Sequence, residues 1–570
     1  MKDINITKTI GIACLAVICF GLTSCDDYLR EKDLPRLTPE YYGTAAGVES
    51  AATATYSFMR WGAGNLERYN SMTEYGTDLF TQGEDPGLYA DAFNKYGSQL
   101  NPDLNVLYQF WENHYKAIAA ANLVIQQVEA SSMTESQKQS SIAEMSFLRA
   151  FFYFELVQHF GSIPLVLDVS FEVRTDFPRS SIADVYAQIF KDLEYAVTYL
   201  PEKPAKRGKA ARYAAAHLLA KAYLTRGSAV SDQRGQQASD MDNALKYAKM
   251  VIESGQYELL SNFANLWDIN NMGNKEVIFS VQFTTDPVYR GDGNTFHLFW
   301  GSWYEDQPGM TRDLANGRPY RRHRQTNKTM FELYDRKNDS RFYKSFKWAY
   351  YANRAGAGLE LGDTAIYYSL NPTTNAHRYK YFAWDKEDPT QNNRYYPSLL
   401  KFFDPTRIAT NDTQGRREWI KMRLAETYLI AAEAAGRKGD YQTAADYINV
   451  VRNRAAWHDG ETKVPQYWIE EGGTPGDTNS TFDEIKVTSA DIQNNFVDFI
   501  LDELGRELLG ETNRWLDLVR CEKLEEYVKK WNPEATTFRS HHKLRPIPQN
   551  HIDRLNPRGT DAEEQNPGYF

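Results

Sequence analysis

Two stretches of the chain set flat aromatic rings beside planar polar side chains. In the first, Thr73–Glu84 (TEYGTDLFTQGE) followed by Tyr89, Asp78 and Gln82 offer hydrogen-bonding groups and Phe80 a ring. The second runs from Phe296 to Tyr304 (FHLFWGSWY) and continues as Asn316–Arg324 (NGRPYRRHR). It holds Trp300, Trp303, Tyr304 and Tyr320 beside Arg318 and Arg321. Ring faces stack on the apolar C–H face of a pyranose, and carboxylates, amides and guanidiniums hydrogen-bond its hydroxyls. These residues are therefore candidates for sugar recognition without bond making. The competing reading makes each tryptophan part of a local core. The basic run 318–324 either attracts an acidic ligand by charge or pairs with neighbouring carboxylates.

Catalytic chemistry has no comparable signature. There is no His-Glu-x-x-His, Gly-x-Ser-x-Gly, Lys-Ser/Thr phosphate loop or Cys-x-x-Cys. His541-His542 lacks further ligands at metal spacing. Among 75 carboxylates an acid/base pair cannot be recognised by counting, so a lipid-anchored glycoside hydrolase or lyase stands as an alternative without a motif. A third reading is a repeat scaffold that holds only protein partners. No residue pattern calls for a cofactor or a metal.

Candidate loops need a frame, and three helix pairs provide one. Ile142–Phe160 pairs with Ile182–Leu200, Ala211–Arg226 with Met241–Glu253, and Lys421–Arg437 with Tyr441–Arg454. Each segment repeats apolar residues at i, i+3, i+4 and i+7, the helix period. In the second and third pairs the first helix mixes alanines with large residues and the partner carries Ala-x-x-Tyr (Ala244, Tyr247; Ala444, Tyr447). Small residues allow close approach and aromatics fill the gaps, the logic of tetratricopeptide-like repeats. Gly227 and Gly439 are expected to end the first helices. Further helices are predicted at Leu107–Glu129 and Phe496–Gly510, and a strand at Glu276–Phe283. The irregular stretch 257–415 is too long for a passive connection and points to a functional insertion.

The chain begins with Lys2 and Lys8, then an apolar run at Ile10–Phe20 too short to span a bilayer. Leu22-Thr23-Ser24-Cys25 follows and resembles the lipobox of bacterial lipoproteins, in which the cysteine is acylated. The expected organisation is a signal peptide at 1–24, lipidated Cys25 with a tether to 45, and one domain at 46–570. Within that domain the helical repeats cover about 107–256 and 416–520. Two or more acyl chains make a stable anchor at about 0.8 kcal/mol per buried CH2. Cys14 and Cys19 leave with the leader, so Cys521 stands alone and no disulfide framework is available. The formal net charge of -10 argues against nucleic acid as a partner.

Several blocks together resemble one family, the SusD/RagB-like outer-membrane glycan-binding lipoproteins. They are Ala143–Phe154 with Phe160–Leu165, Arg423–Glu433, Val451–Arg454, Arg506–Glu511, Arg514–Arg520, Leu544–Pro548 and Gln565–Tyr569, in that order. One departure is Gly510-Glu511-Thr512-Asn513-Arg514, where the family usually has Glu-Gly-x-Arg. The resemblance implies a mainly α fold, with tetratricopeptide-like pairs in a right-handed superhelix and a loop-rich insertion containing short strands. It also implies a non-enzymatic lipoprotein that captures oligosaccharide, or in some members peptide, and delivers it to a TonB-dependent SusC-like β-barrel. In the family, ligand residues commonly come from loops in the two regions above. Asp26-Asp27 resembles the acidic signal that sends Bacteroidetes-type lipoproteins to the cell exterior. The charged residues of the blocks (Arg149, Arg423, Glu426, Glu433, Arg506, Glu507, Arg514) lie in apolar surroundings and are expected to pair internally.

Overall fold

The computed structural model describes residues 44–570, apart from 65–67, 171, 230, 232–233, 372–378, 462 and 465–479. The segment expected to hold the signal peptide, Cys25 and the tether, up to residue 43, lies outside the described residues. Among those described, no helix is long and apolar enough to cross a membrane.

The helices are α1 (Ala45–Ser57), α2 (Arg68–Glu74), α3 (Asn105–Ala130), α4 (Glu135–Phe160), α5 (Ile182–Tyr199), α6 (Arg212–Ser228), α7 (Asp240–Ile252), α8 (Leu424–Arg437), α9 (Tyr441–Ala455), α10 (Phe496–Glu507), α11 (Arg514–Arg520) and α12 (Leu524–Trp531), with shorter turns besides. Local chemistry sets their ends. Thr134 and Gln137 form a capping box at the start of α4, which stops at Gly161 with φ +72°. Asp440 caps α9 by accepting from the Thr443 N–H at 3.1 Å. Gly439, with φ +84°, follows α8 as expected. Gly227 does not end a helix, because α6 continues to Ser228. A Cβ there would lie 2.5 Å from Met241 Cε and 2.8 Å from Asp240 Cβ, so this glycine serves the close approach of α7.

Consecutive helices pack in a run from α3 to α9, and α7 packs on α8 although some 170 residues separate them in sequence. The mainly α, tetratricopeptide-like class follows from this stacking. Ala214, Ala215, Ala220 and Ala222 are buried. The room they leave takes a ladder of aromatics: Phe190 stacks on Tyr223 at 4.0 Å and Tyr223 lies parallel to Tyr247 at 6.1 Å.

The excursion between α7 and α8 leaves and returns through a ribbon of β2 (Val277–Val281) antiparallel to β9 (Trp419–Arg423). Arg423 is thus the last residue of a strand, not part of the predicted helix from Lys421. The Leu424 N–H donates to the Glu276 carbonyl at 2.9 Å, which locks the neck of the excursion. Beyond it lie the pair β4 (Phe346–Lys347) with β8 (Ser398–Leu399), and the three-stranded sheet β5 (Ala349–Tyr351), β6 (Thr364–Ser369), β7 (Lys380–Ala383).

Charged residues inside the protein form paired networks. Arg149 holds Asp192 through Nε and Nη2 at 2.8 and 2.7 Å. Arg520 holds Glu433 at 2.6 Å. The densest network surrounds the C-terminal end of α10, where Glu503 and Glu507 meet Arg341, Arg423, Arg452, Arg454 and Arg506. Cys521 is a buried free thiol whose pKa burial pushes up to about 11, which leaves it unreactive.

Helix contact is equally tight where α8 meets α10. A Cβ on Gly436 would lie 2.0 Å from Phe496 Cζ. Gly436→Ala is therefore expected to lower the thermal midpoint. Overpacking of about 1–3 kcal/mol exceeds the ~1 kcal/mol that alanine gains in helix propensity. A midpoint equal to or above wild type, followed by circular dichroism, would show that Phe496 can swing aside freely.

Candidate ligand-binding surface

The two candidate stretches meet in one place. Strand β1 (Phe80–Gln82) pairs antiparallel with β3 (His323–Gln325), in the register Phe80 with Gln325 and Gln82 with His323. Beyond that ribbon the Gly83 N–H donates to the Arg322 carbonyl at 2.6 Å. A Cβ on Gly83 would stand 2.2 Å from the Arg321 carbonyl oxygen, so only glycine lets these loops touch. Arg321 itself sits at φ +57°, in the left-handed region that non-glycine residues seldom occupy.

This pairing decides which side chains face outward. Asp78, Phe80, Trp300 and Tyr304 do not face solvent; all four are interior residues. Asp78 accepts from Arg514 Nε and Nη2 at 2.7 and 2.6 Å and faces Lys328 at 3.0 Å. Burial alone would raise its pKa, but Arg514 and Lys328 outweigh that and hold the carboxyl at about 2. Phe80 and Trp300 meet edge to face at 4.9 Å, and Tyr304 stacks on Tyr350 at 5.1 Å while its hydroxyl donates to the Gly317 carbonyl at 2.7 Å. The reason is burial: these groups form the core beneath the loops, and in this arrangement they cannot touch a surface ligand. Gln82 is half-buried at the end of β1, and Tyr89 rests against Phe93 with ring centres 6.2 Å apart.

Trp303 and Arg321 do come together at the surface. The Arg321 guanidinium lies over the Trp303 ring at 3.8 Å from its centre, and Arg394 lies at 4.4 Å. Glu84 binds both arginines, Arg321 at 2.9 Å and Arg394 at 3.4 Å. Arg394 also reaches Asp306 at 2.9 Å, and Asp306 accepts from the Tyr395 hydroxyl at 2.8 Å. Tyr395 stacks on Phe382 at 4.2 Å. Alongside, Tyr320 lies under Arg318 at 5.4 Å and Arg322 at 5.1 Å. The basic run 318–324 is largely neutralised: Arg321 meets Glu84, Arg322 meets Asp85 at 3.7 Å and Arg324 meets Glu534 at 3.0 Å.

Four loops thus build a half-exposed lattice of aromatic rings, guanidiniums and carboxylates. Its planar polar groups are fixed before any ligand arrives, so they can meet adjacent hydroxyls at little ordering cost. Glu84, Phe382, Asp306, Arg394 and Tyr395 were not singled out from sequence. Glu84 closes the first motif and Asp306 follows the second by two residues, but Arg394 and Tyr395 arrive through long-range backbone bonds, from the Trp303 N–H to the Arg394 carbonyl at 3.2 Å and from the Glu84 N–H to the Asn393 carbonyl at 2.7 Å. Among the described residues no group of three or more metal-ligating side chains converges.

Comparison with known proteins identifies the family of the chain. The SusD family model matches residues 231–569, and a second model, described as starch-binding associating with outer membrane, matches residues 64–224. The SusD-like protein P25 of Formosa agariphila is 24% identical over 99% of this chain and 100% of its own. A laminarin binding SusD-like protein of known structure superposes with a TM-score of 0.64 at 23% identity, covering 92% of this chain and 99% of that one. A SusD homolog from Bacteroides thetaiotaomicron reaches 0.68 at 20% identity, covering 93% and 99%. With its helix run, its inserted loops and a family model that spans more than half its length, the chain belongs to the SusD family.

Proposed function

We propose that this protein is a glycan-binding lipoprotein of the cell surface. It captures an oligosaccharide non-covalently on the Trp303 lattice and hands it to a TonB-dependent SusC-like transporter in the outer membrane. Acylated Cys25, followed by Asp26-Asp27, holds it at the outer face. The observation that carries the reading is the convergence of Trp303, Arg321, Arg394, Glu84, Asp306 and Tyr395 at the surface. Planar groups for hydroxyls stand there among aromatic rings whose faces carry the guanidiniums. The starch-binding description of one matching family model and the laminarin binding of a structural neighbour support a sugar as the ligand class. Tyr320 and Arg318 extend the same surface, with Gln82 and Tyr89 on its β1 side.

The lattice carboxylates serve as acceptors held by arginines, Glu84 by two and Asp306 by one, so the reading is binding without turnover. Incubation of the intact chain with a panel of neutral oligosaccharides tests it. Retention of at least one oligosaccharide at unchanged length is the expected result. Release of shorter products would replace binding with hydrolysis or lyase chemistry, and retention of none would remove a neutral sugar as the ligand of the lattice.

A further inference from the structure

We propose that a second cleft, sharing no lining residue with the Trp303 lattice, binds an anionic sugar: a pyranose that carries a carboxylate, sulfate or phosphate. The cleft has a volume of about 410 Å³ and lies between α1, the turn at 206–209 and β2. That volume falls in the range of about 300–1,000 Å³ typical of small-molecule sites. Met59, Phe279 and Val281 give it an apolar wall, and Tyr289, 69% exposed, offers a ring face.

Its polar lining has the opposite sign to the protein. Arg60, Lys206, Arg207 and Lys209 line the cleft against a single carboxylate, Glu49, in a chain of net charge -10. Two of these cations are already matched: Lys209 meets Glu49 at 2.8 Å and Glu144 at 3.3 Å, and Arg207 meets Glu418 at 2.7 Å. Two are not. Arg60 donates only to the carbonyls of Gln282 and Tyr289, at 3.0 and 3.4 Å, and meets no carboxylate among the described residues. The Lys206 ammonium is exposed and meets no acidic partner among them. Charges left unmatched on a semi-enclosed apolar wall concentrate potential and draw in an anion. The Arg60 guanidinium has planar donors for two oxygens of such a group. The basic run 318–324 is mostly neutralised by carboxylates, whereas the cations of this cleft outnumber theirs.

An acidic residue of a free oligosaccharide and a phosphate-bearing headgroup at a membrane surface both supply an anionic group of this kind. The test titrates the intact chain, its Lys206→Glu variant and its Trp303→Ala variant with glucuronic acid and glucose, and separately with phosphatidylglycerol and phosphatidylcholine vesicles. Lys206 is exposed, so Lys206→Glu should leave the fold intact. The expected result is preference for an anionic probe over its neutral partner, weakened at least tenfold by Lys206→Glu and retained by Trp303→Ala. Preference for glucuronic acid assigns the cleft to a free acidic sugar; preference for phosphatidylglycerol alone overturns the sugar in favour of a lipid headgroup. Equal response to anionic and neutral probes, no response to any, or an unchanged response in Lys206→Glu overturns the proposal. Loss in Trp303→Ala also overturns it, by placing the anion on the lattice.

Discussion

Glu507→Gln is expected to destabilise the fold by about 3–5 kcal/mol, the cost of removing one partner from a buried ionic network. Glu507 is fully buried and is reached by Arg423 at 2.6 Å, Arg341 at 2.9 Å and Arg454. Glutamine keeps the shape and one acceptor but leaves three guanidiniums short of a charge they have already been desolvated to meet. Thermal and urea midpoints should both fall. Removing the exposed Lys275–Glu258 pair, 2.9 Å apart with both side chains in solvent, should leave them within error. A Glu507→Gln midpoint like that of wild type would mean that the network is dispensable.

The same chemistry fixes the acid limit of the protein. Burial opposes ionisation of Glu503, Glu507, Glu433 and Asp78, but their arginine partners outweigh it; Glu433 and Asp78 lie at about 2, and the other two are also held below the ordinary range. Unfolded carboxylates titrate near ~4. These groups therefore stabilise the fold fully above about pH 4–5 and lose that contribution as pH falls toward 2. Glu74 runs the other way. Burial, only partly offset by the backbone N–H groups of residues 512–514 and by Arg514, pushes its pKa up to about 8. Between about pH 4 and 8 the folded state keeps a proton that the unfolded state has lost, so stability falls as pH rises. Glu74→Gln, neutral at every pH, should flatten that slope and stabilise the protein at pH 8.

The helical half was readable because its signals are local. Apolar period, capping residues and the alanine–tyrosine grammar placed most helix ends within a few residues, and charges in apolar stretches announced the internal ion pairs. The candidate surface was readable only as two regions. Trp300 and Trp303 stand three residues apart, yet one is core and one is surface. Which is which depends on β1 meeting β3 across some 240 residues, and no local period encodes that register. Arg423 shows the same limit: its helical neighbours imply a helix, and pairing with distant β2 draws it into a strand. Arg394 and Tyr395 reach the lattice through long-range backbone bonds from Trp303 and Glu84, so their sequence neighbourhood gives no sign of the role.

Trp303→Ala is expected to weaken oligosaccharide binding by about 2 kcal/mol, or ~30-fold, the loss typical of an aromatic anchor at the centre of a contact surface. The loss has two parts. The indole face goes, and with it the plate on which the Arg321 and Arg394 guanidiniums rest. Freed of that plate, both arginines must be ordered again when the ligand binds. Arg394→Ala should weaken binding as well, because it cuts the bridge from Glu84 to Asp306. Trp300, fully buried beneath the lattice, supplies the contrast. Trp300→Phe should lower the thermal midpoint by its lost packing while the folded molecules bind with near wild-type affinity. The most direct measurement is calorimetric titration of wild type, Trp303→Ala and Trp300→Phe with the oligosaccharide retained in the panel. The account predicts affinity lost in Trp303→Ala and kept in Trp300→Phe; equal affinity in wild type and Trp303→Ala would contradict it.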